Sequence, residues 1–195
     1  DLDWDFQSYR ATSHLTVTNR SKVPLGELVF LLFPNTEDMV RGGAPNLVVE
    51  SVTVDGDAVT PEGPRSVTLR VPLKAPLAPG ERATVEMAFK GRVVQLPDQA
   101  SDLGKLALEQ LMELVLGHSE PKGGYGVFSW GDGILSLALW YPILAVHGES
   151  GWDLEGGGDV GDVSHFDVAH YEVTMTTPNT VTVVATGVET NKEEN

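Results

Sequence analysis

The stretch ILSLALWYPILAV, residues 134–146, constrains the fold more than any other part of this chain. It is too short to span a bilayer, which takes about 20 apolar residues. A proline inside a short helix costs about 3 kcal/mol, so Pro142 argues against a buried helix as well. What fits is the interior of a curved β layer: an apolar strand entering the core, a corner at Trp140-Tyr141-Pro142, and the start of a second strand.

The rest of the chain has the pattern of short strands divided by turns. In ATSHLTVT, residues 11–18, Ala11, Ser13, Leu15 and Val17 fall on one face and Thr12, His14, Thr16 and Thr18 on the other, the alternation of a half-buried strand. LVFLLF at 28–33 is apolar at every position, as in a strand covered on both faces, and Pro34-Asn35 stops it. In LVVESVTVDGDAV, Val52 and Val54 share a face, and Asp55-Gly56 is a tight-turn signal. SVTLRVPL and ERATVEMAFKGRVV follow around Ala78-Pro79-Gly80, with Val85, Met87 and Phe89 on one face. YEVTM and VTVVATG predict two more strands, separated by Pro178-Asn179. Such a series predicts a mainly β, antiparallel domain, sandwich-like or a curved sheet assembly. One helix is expected within it at about 101–117, capped by Ser101 or Asp102, closed by Gly117, and carrying Lys105, Glu109 and Glu113 along a narrow polar stripe.

A chain of 195 residues can bury one substantial core, whereas two full domains would be cramped. The expectation is a single β domain over 1–195, with 188–195 the start of a linker or a truncated tail. The 28 acidic and 13 basic residues give a formal net charge of −15, and Lys and Arg are not clustered. That balance disfavours nucleic acid and anionic membrane surfaces as partners. Absence of cysteine removes disulfides, thiolate nucleophiles and Cys-type zinc sites and says nothing of compartment. Nothing near Asp1 reads as a targeting core, and the compartment stays open, with an extracytoplasmic setting favoured.

The candidate chemistry is sparse. His165 and His170 lie five apart, a spacing that suits neither one helix face nor one strand face, and His14, His118 and His147 are isolated. His-Glu-x-x-His and Gly-x-Ser-x-Gly do not occur in the chain. Asp153, Glu155, Asp159 and Asp162 in the Gly-rich loop DLEGGGDVGDVS are weak candidates for calcium, since their spacing matches no established calcium loop; a solvated acidic loop is the plainer reading. Acidic pairs such as Glu149 and Asp153 are easily found in so acidic a chain and are explained by solubility.

Taken in series, these segments resemble the N-terminal domain of the aminopeptidase N-type zinc metallopeptidases, the gluzincins. The residues that carry the resemblance are SHLTVTNRSKVPLGELVFLLFPN, the Trp140-Tyr141-Pro142 corner, and the ending with Tyr171, Val173, Pro178, Val183, Val184, Ala185 and Gly187. It covers about residues 8–188. The resemblance implies a saddle-shaped β domain that packs on a separate catalytic domain of the same parent chain. That absent domain would supply the zinc and the catalytic residues, leaving this part non-catalytic, without cofactor, and forming one wall of the pocket for a peptide substrate. In that family a Gln or Glu shortly before the aromatic-proline corner holds the substrate's amino terminus; here the position falls on Asp132, whose Asp-Gly context is also a plain turn signal. The helix at 101–117 and Ile143-Leu144 after the proline depart from the family pattern. The alternative is a free-standing β-sandwich interaction module that binds protein or carbohydrate through its loops.

Overall fold

The computed structural model describes residues 1–5, 7–36, 39–40, 43–95, 128–131, 133–154 and 167–193. The fold is mainly β, as expected. Its elements run β1 (Leu2–Asp3), β2 (Ser8–Thr18), β3 (Leu25–Leu31), a 3-10 turn (Phe33–Asn35), β4 (Leu47–Val54), β5 (Asp57–Val59), β6 (Thr68–Leu77), β7 (Arg82–Arg92), β8 (Val94–Gln95), β9 (Phe128–Gly131), β10 (Ile134–Leu137), β11 (Ile143–Leu144), β12 (His147–Gly148) and β13 (Gly151–Trp152). The helix expected at 101–117 lies outside the described residues.

One sheet has the order β1-β2-β7-β4-β5 and another β11-β3-β6. The main core is shared between them: Val17, Val85, Met87 and Phe89 come from the first, and Leu28, Phe30, Leu69 and Val71 from the second. Antiparallel pairing prevails, and β8 pairs with β9 in parallel.

Strand β3 has the double covering that its unbroken apolar sequence predicts. Leu28, Val29 and Phe30 are each 0% exposed. Leu28 and Phe30 face the main core, while Val29 and Leu31 turn to a second cluster with Phe33, Ile143 and Ala145. Each such side chain contributes about 1.5–3 kcal/mol by leaving water. Pro34 ends the strand in the 3-10 turn.

In β4 one extra residue resolves a conflict of phase. Val49 pairs opposite Phe89 and Ser51 opposite Ala88, so Glu50 is a bulge. The bulge keeps Leu47, Val49 and Val52 all buried despite the odd-to-even change. It also places Glu50 outward, where Lys90 at 2.5 Å and Arg10 at 3.2 Å meet its carboxylate. Asp55 and Gly56 both take positive φ, 51° and 85°, the geometry of a tight hairpin turn between β4 and β5.

Residues 167–193 differ from expectation. YEVTM and VTVVATG form no strands in the structure, and Tyr171, Val173, Val183 and Val184 are exposed. Alternation gives these segments strand character, but a strand exists only where a neighbour supplies its hydrogen bonds. Among the described residues no helix is long and apolar enough to cross a membrane.

Candidate functional site

The apolar run 134–146 folds as strand, corner and strand. Ile134–Leu137 pairs with β9, and Ile143 and Leu144 pair with Leu31 and Phe30. Entry to the core is only partial, because Ile134 is 69% exposed. Between the strands the chain reverses at Leu139, whose φ of 56° is left-handed. That conformation costs a non-glycine residue about 1–3 kcal/mol, and it persists here because the flanking residues are held from several sides.

Tyr9 is the main anchor. Its hydroxyl donates to the Trp140 carbonyl. The two rings meet edge to face at 5.4 Å, Phe128 lies at 6.3 Å from Tyr9, and Phe89 lies at 6.0 Å from Trp140. Room for the Tyr9 ring exists because Gly91 stands opposite it on β7; a Cβ on Gly91 would sit 2.1 Å from the ring. Next along the corner, Tyr141 meets Trp140 at 5.5 Å and Tyr171 at 5.9 Å. Ala145 then donates its N–H to Val29 at 2.9 Å, closing the second strand onto β3.

Burial pushes the Tyr9 phenol far above its ordinary range. Tyr141 is raised too, first by burial and then by its hydrogen bond with Tyr171. Both therefore stay neutral at physiological pH and serve as hydrogen-bonding aromatic surfaces rather than as bases. Around the corner a cleft of ≈ 1060 Å³ opens between β2 and residues 167–176, with Trp140, Tyr141 and Phe89 among its lining.

Two buried asparagines brace the sheets that carry this corner. Asn35 Nδ2 donates to the Leu47 carbonyl at 2.8 Å, and the Leu47 N–H donates back to Asn35 Oδ1 at 2.9 Å. Asn19 Nδ2 donates to the carbonyls of Val23 and Leu77, both at 2.8 Å.

Of the residues singled out in the sequence, Asp132, Glu155, Asp159 and Asp162 lie outside the described residues, as do His118 and His165. Gly131 pairs with Ile134, and Gly133 has a φ of 74°. Asp153 follows β13 and donates its N–H to the Val146 carbonyl at 2.7 Å. His14 meets Glu86 at 3.2 Å on the open face of β2, His147 packs edge to face on Trp152 at 4.9 Å, and His170 is exposed. Among the described residues no three His, Asp or Glu side chains are grouped to hold a metal ion. Tyr9, Gly91, Asn19 and Asn35 were not legible as a set, although both Asn residues sit in the segment SHLTVTNRSKVPLGELVFLLFPN.

No protein-family model matches the chain, and no curated protein matches it. Among solved structures, the chain is similar to an M1 zinc metallopeptidase from Deinococcus radiodurans, at 21% identity over 46% of this chain and 17% of that one, with a TM-score of 0.34. A two-domain M1 zinc metallopeptidase mutant bound to L-tryptophan gives 21% identity over 47% and 18%, with a TM-score of 0.35. The likeness thus spans under a fifth of those chains. At this level it does not establish the family.

Proposed function

We propose that this chain is the non-catalytic N-terminal domain of an aminopeptidase-like zinc metallopeptidase. It packs against a catalytic domain of the same parent chain and forms one wall of the substrate pocket. The observation that carries the reading is the aromatic-proline corner, in its place within the serial order of motifs: Trp140-Tyr141-Pro142 is fixed by the Tyr9 hydroxyl and stapled to β3 through Ile143 and Leu144. A corner held so firmly is suited to support a binding wall, because a wall orients substrate only if its own side chains are locked.

The exposed apolar residues Val168, Tyr171, Val173, Val184 and Val188 support the packing role, since apolar surface of this kind suits a partner domain. Zinc belongs, on this reading, to the catalytic domain. Asp132 supplies the carboxylate that pairs with the ammonium of the substrate's amino terminus.

Two measurements test the proposal. The purified chain supplied with zinc should leave aminoacyl substrates uncut, and clear turnover would overturn the non-catalytic role. The parent gene should encode His-Glu-x-x-His within the next couple of hundred residues. A parent without it would favour the free-standing interaction module instead.

A further inference from the structure

Tyr141 and Tyr171 are the phenol pair in contact among the described residues, and the geometry of that contact favours a reaction between them. Their rings meet at 62° with centroids 5.9 Å apart, and their hydroxyls share a hydrogen bond. Two phenols bonded end to end would hold their ring centres roughly 8 Å apart, an O–H···O distance plus a C–O bond and a ring radius on each side. At 5.9 Å the rings are instead folded toward each other about the hydrogen bond, which brings the carbons ortho to the two hydroxyls to the contact. In a phenoxyl radical the unpaired electron resides on the oxygen and on the ortho and para carbons. In tyrosine the para carbon is already substituted, so the ortho carbons are the ones free to join.

The two rings are held from different sides and differ in access. Tyr141 is half-buried against Trp140 at 5.5 Å, in a corner fixed by the pairing of Ile143 with Leu31. Tyr171 belongs to the segment that the Leu2 N–H ties through the Thr176 carbonyl at 3.0 Å, and it is 56% exposed. An oxidant in solution therefore meets Tyr171 first. The shared hydrogen bond carries the oxidation inward: Tyr141 gives a hydrogen atom to the Tyr171 phenoxyl, and the restored Tyr171 phenol is open to a second oxidation. Tyr9 lacks these features. It is 5% exposed, its hydroxyl donates to the Trp140 carbonyl, and its ring neighbours are Phe128 and Trp140.

We propose that Tyr141 and Tyr171 form an oxidative cross-linking site, joined through their ortho carbons as dityrosine when the protein meets hydrogen peroxide and a haem peroxidase. Each phenol loses one electron and one proton, and the two radicals pair their electrons in a new Cε–Cε bond. Each ring then moves its ortho proton to the oxygen and regains aromaticity. The peroxide takes up the two electrons and two protons and leaves as two waters. Held in contact by the fold, the rings need no diffusional encounter, the advantage of any intramolecular reaction. The sequence has no cysteine, and this link would serve as its covalent staple, closing the chain from 141 to 171 and fixing a segment that forms no strand to the corner. The inference is independent of the peptidase reading.

The test treats the full chain, at high dilution, with a haem peroxidase and limiting hydrogen peroxide, and reads intact mass, dityrosine fluorescence and proteolytic peptides. The expected product is a monomer lighter by two hydrogen atoms, with one linked peptide pair containing Tyr141 and Tyr171. Tyr141→Phe and Tyr171→Phe keep their rings and so their packing, yet each should lower the monomeric dityrosine yield roughly tenfold or more. The unmutated chain unfolded in urea should show a similar loss, because the encounter then depends on chance. The proposal is overturned if no dityrosine forms, if dimers joined through Tyr171 dominate, or if the linked peptides contain Tyr9 or Tyr125 instead. Equal cross-linking of the folded and unfolded chains would overturn it as well.

Discussion

Substituting Gly91 by Ala tests the packing on which the corner depends. An added Cβ would lie 2.1 Å from Tyr9 Cζ, 2.2 Å from its hydroxyl and 2.4 Å from Cε1. Ordinary contact is about 3.5–4.0 Å, so the ring must move by more than an ångström. The end of a side chain usually yields cheaply, but Tyr9 is only 5% exposed and is held by Phe128, Trp140 and its hydrogen bond. Overpacking costs about 1–3 kcal/mol, and loss of the hydroxyl's partner adds about 1 kcal/mol. Against this, Ala in a strand gains about 0.5–1 kcal/mol over Gly. The net expectation is a loss of roughly 1–3 kcal/mol from these terms, measured by urea unfolding. In the background of Tyr9→Ala, itself costing about 3–5 kcal/mol, the Gly91→Ala penalty should vanish or reverse. Additive costs in the double variant would refute the argument, since the clash would then not be with Tyr9.

Three further outcomes are expected. Asn35→Ala leaves the buried N–H and C=O of Leu47 without their partner and should cost about 2–4 kcal/mol in chemical unfolding. Stability should fall as pH rises above about 10: there the unfolded chain releases the Tyr9 and Tyr141 protons while the folded chain keeps them, and Tyr9→Phe should lower the slope by about 1.4 kcal/mol per pH unit, leaving the Tyr141 share. Glu50, whose carboxyl is held below its usual range first by the Lys90 hydrogen bond, sits at the surface; Glu50→Ala should change Tm little, and any change should disappear in 1 M salt, as thermal melts at two ionic strengths would reveal.

Much of the scaffold was legible because hydrophobic phase is a local property. Val85, Met87 and Phe89 alternate inward as their spacing predicts, LVFLLF is buried on both faces, and Asp55-Gly56 turns as such pairs do. The corner at Trp140-Tyr141-Pro142 was legible too, as a proline inside an apolar run. What holds it was not. Tyr9 and Trp140 are 131 residues apart, and neither Gly91 nor Tyr9 announces in sequence that one must be small for the other to lie flat. Asn19 and Asn35 read as turn residues, and their second role, donating across the core, depends on which carbonyls the fold brings near. YEVTM shows the converse limit: alternation identified a strand-like segment and gave no information about whether a neighbour would be there to pair with it.

The pairing of β11 with β3 has a consequence for biogenesis. Val29, Leu31 and Phe33 are sealed on their outer side by Ile143 and Ala145, more than a hundred residues later in the chain. At a synthesis rate of about 5–20 residues per second, the ribosome delivers that cover roughly 6–20 s after β3 has emerged. Throughout that interval the nascent protein carries an uncovered greasy strand, an obvious target for chaperones, and its survival depends on translation reaching the corner promptly.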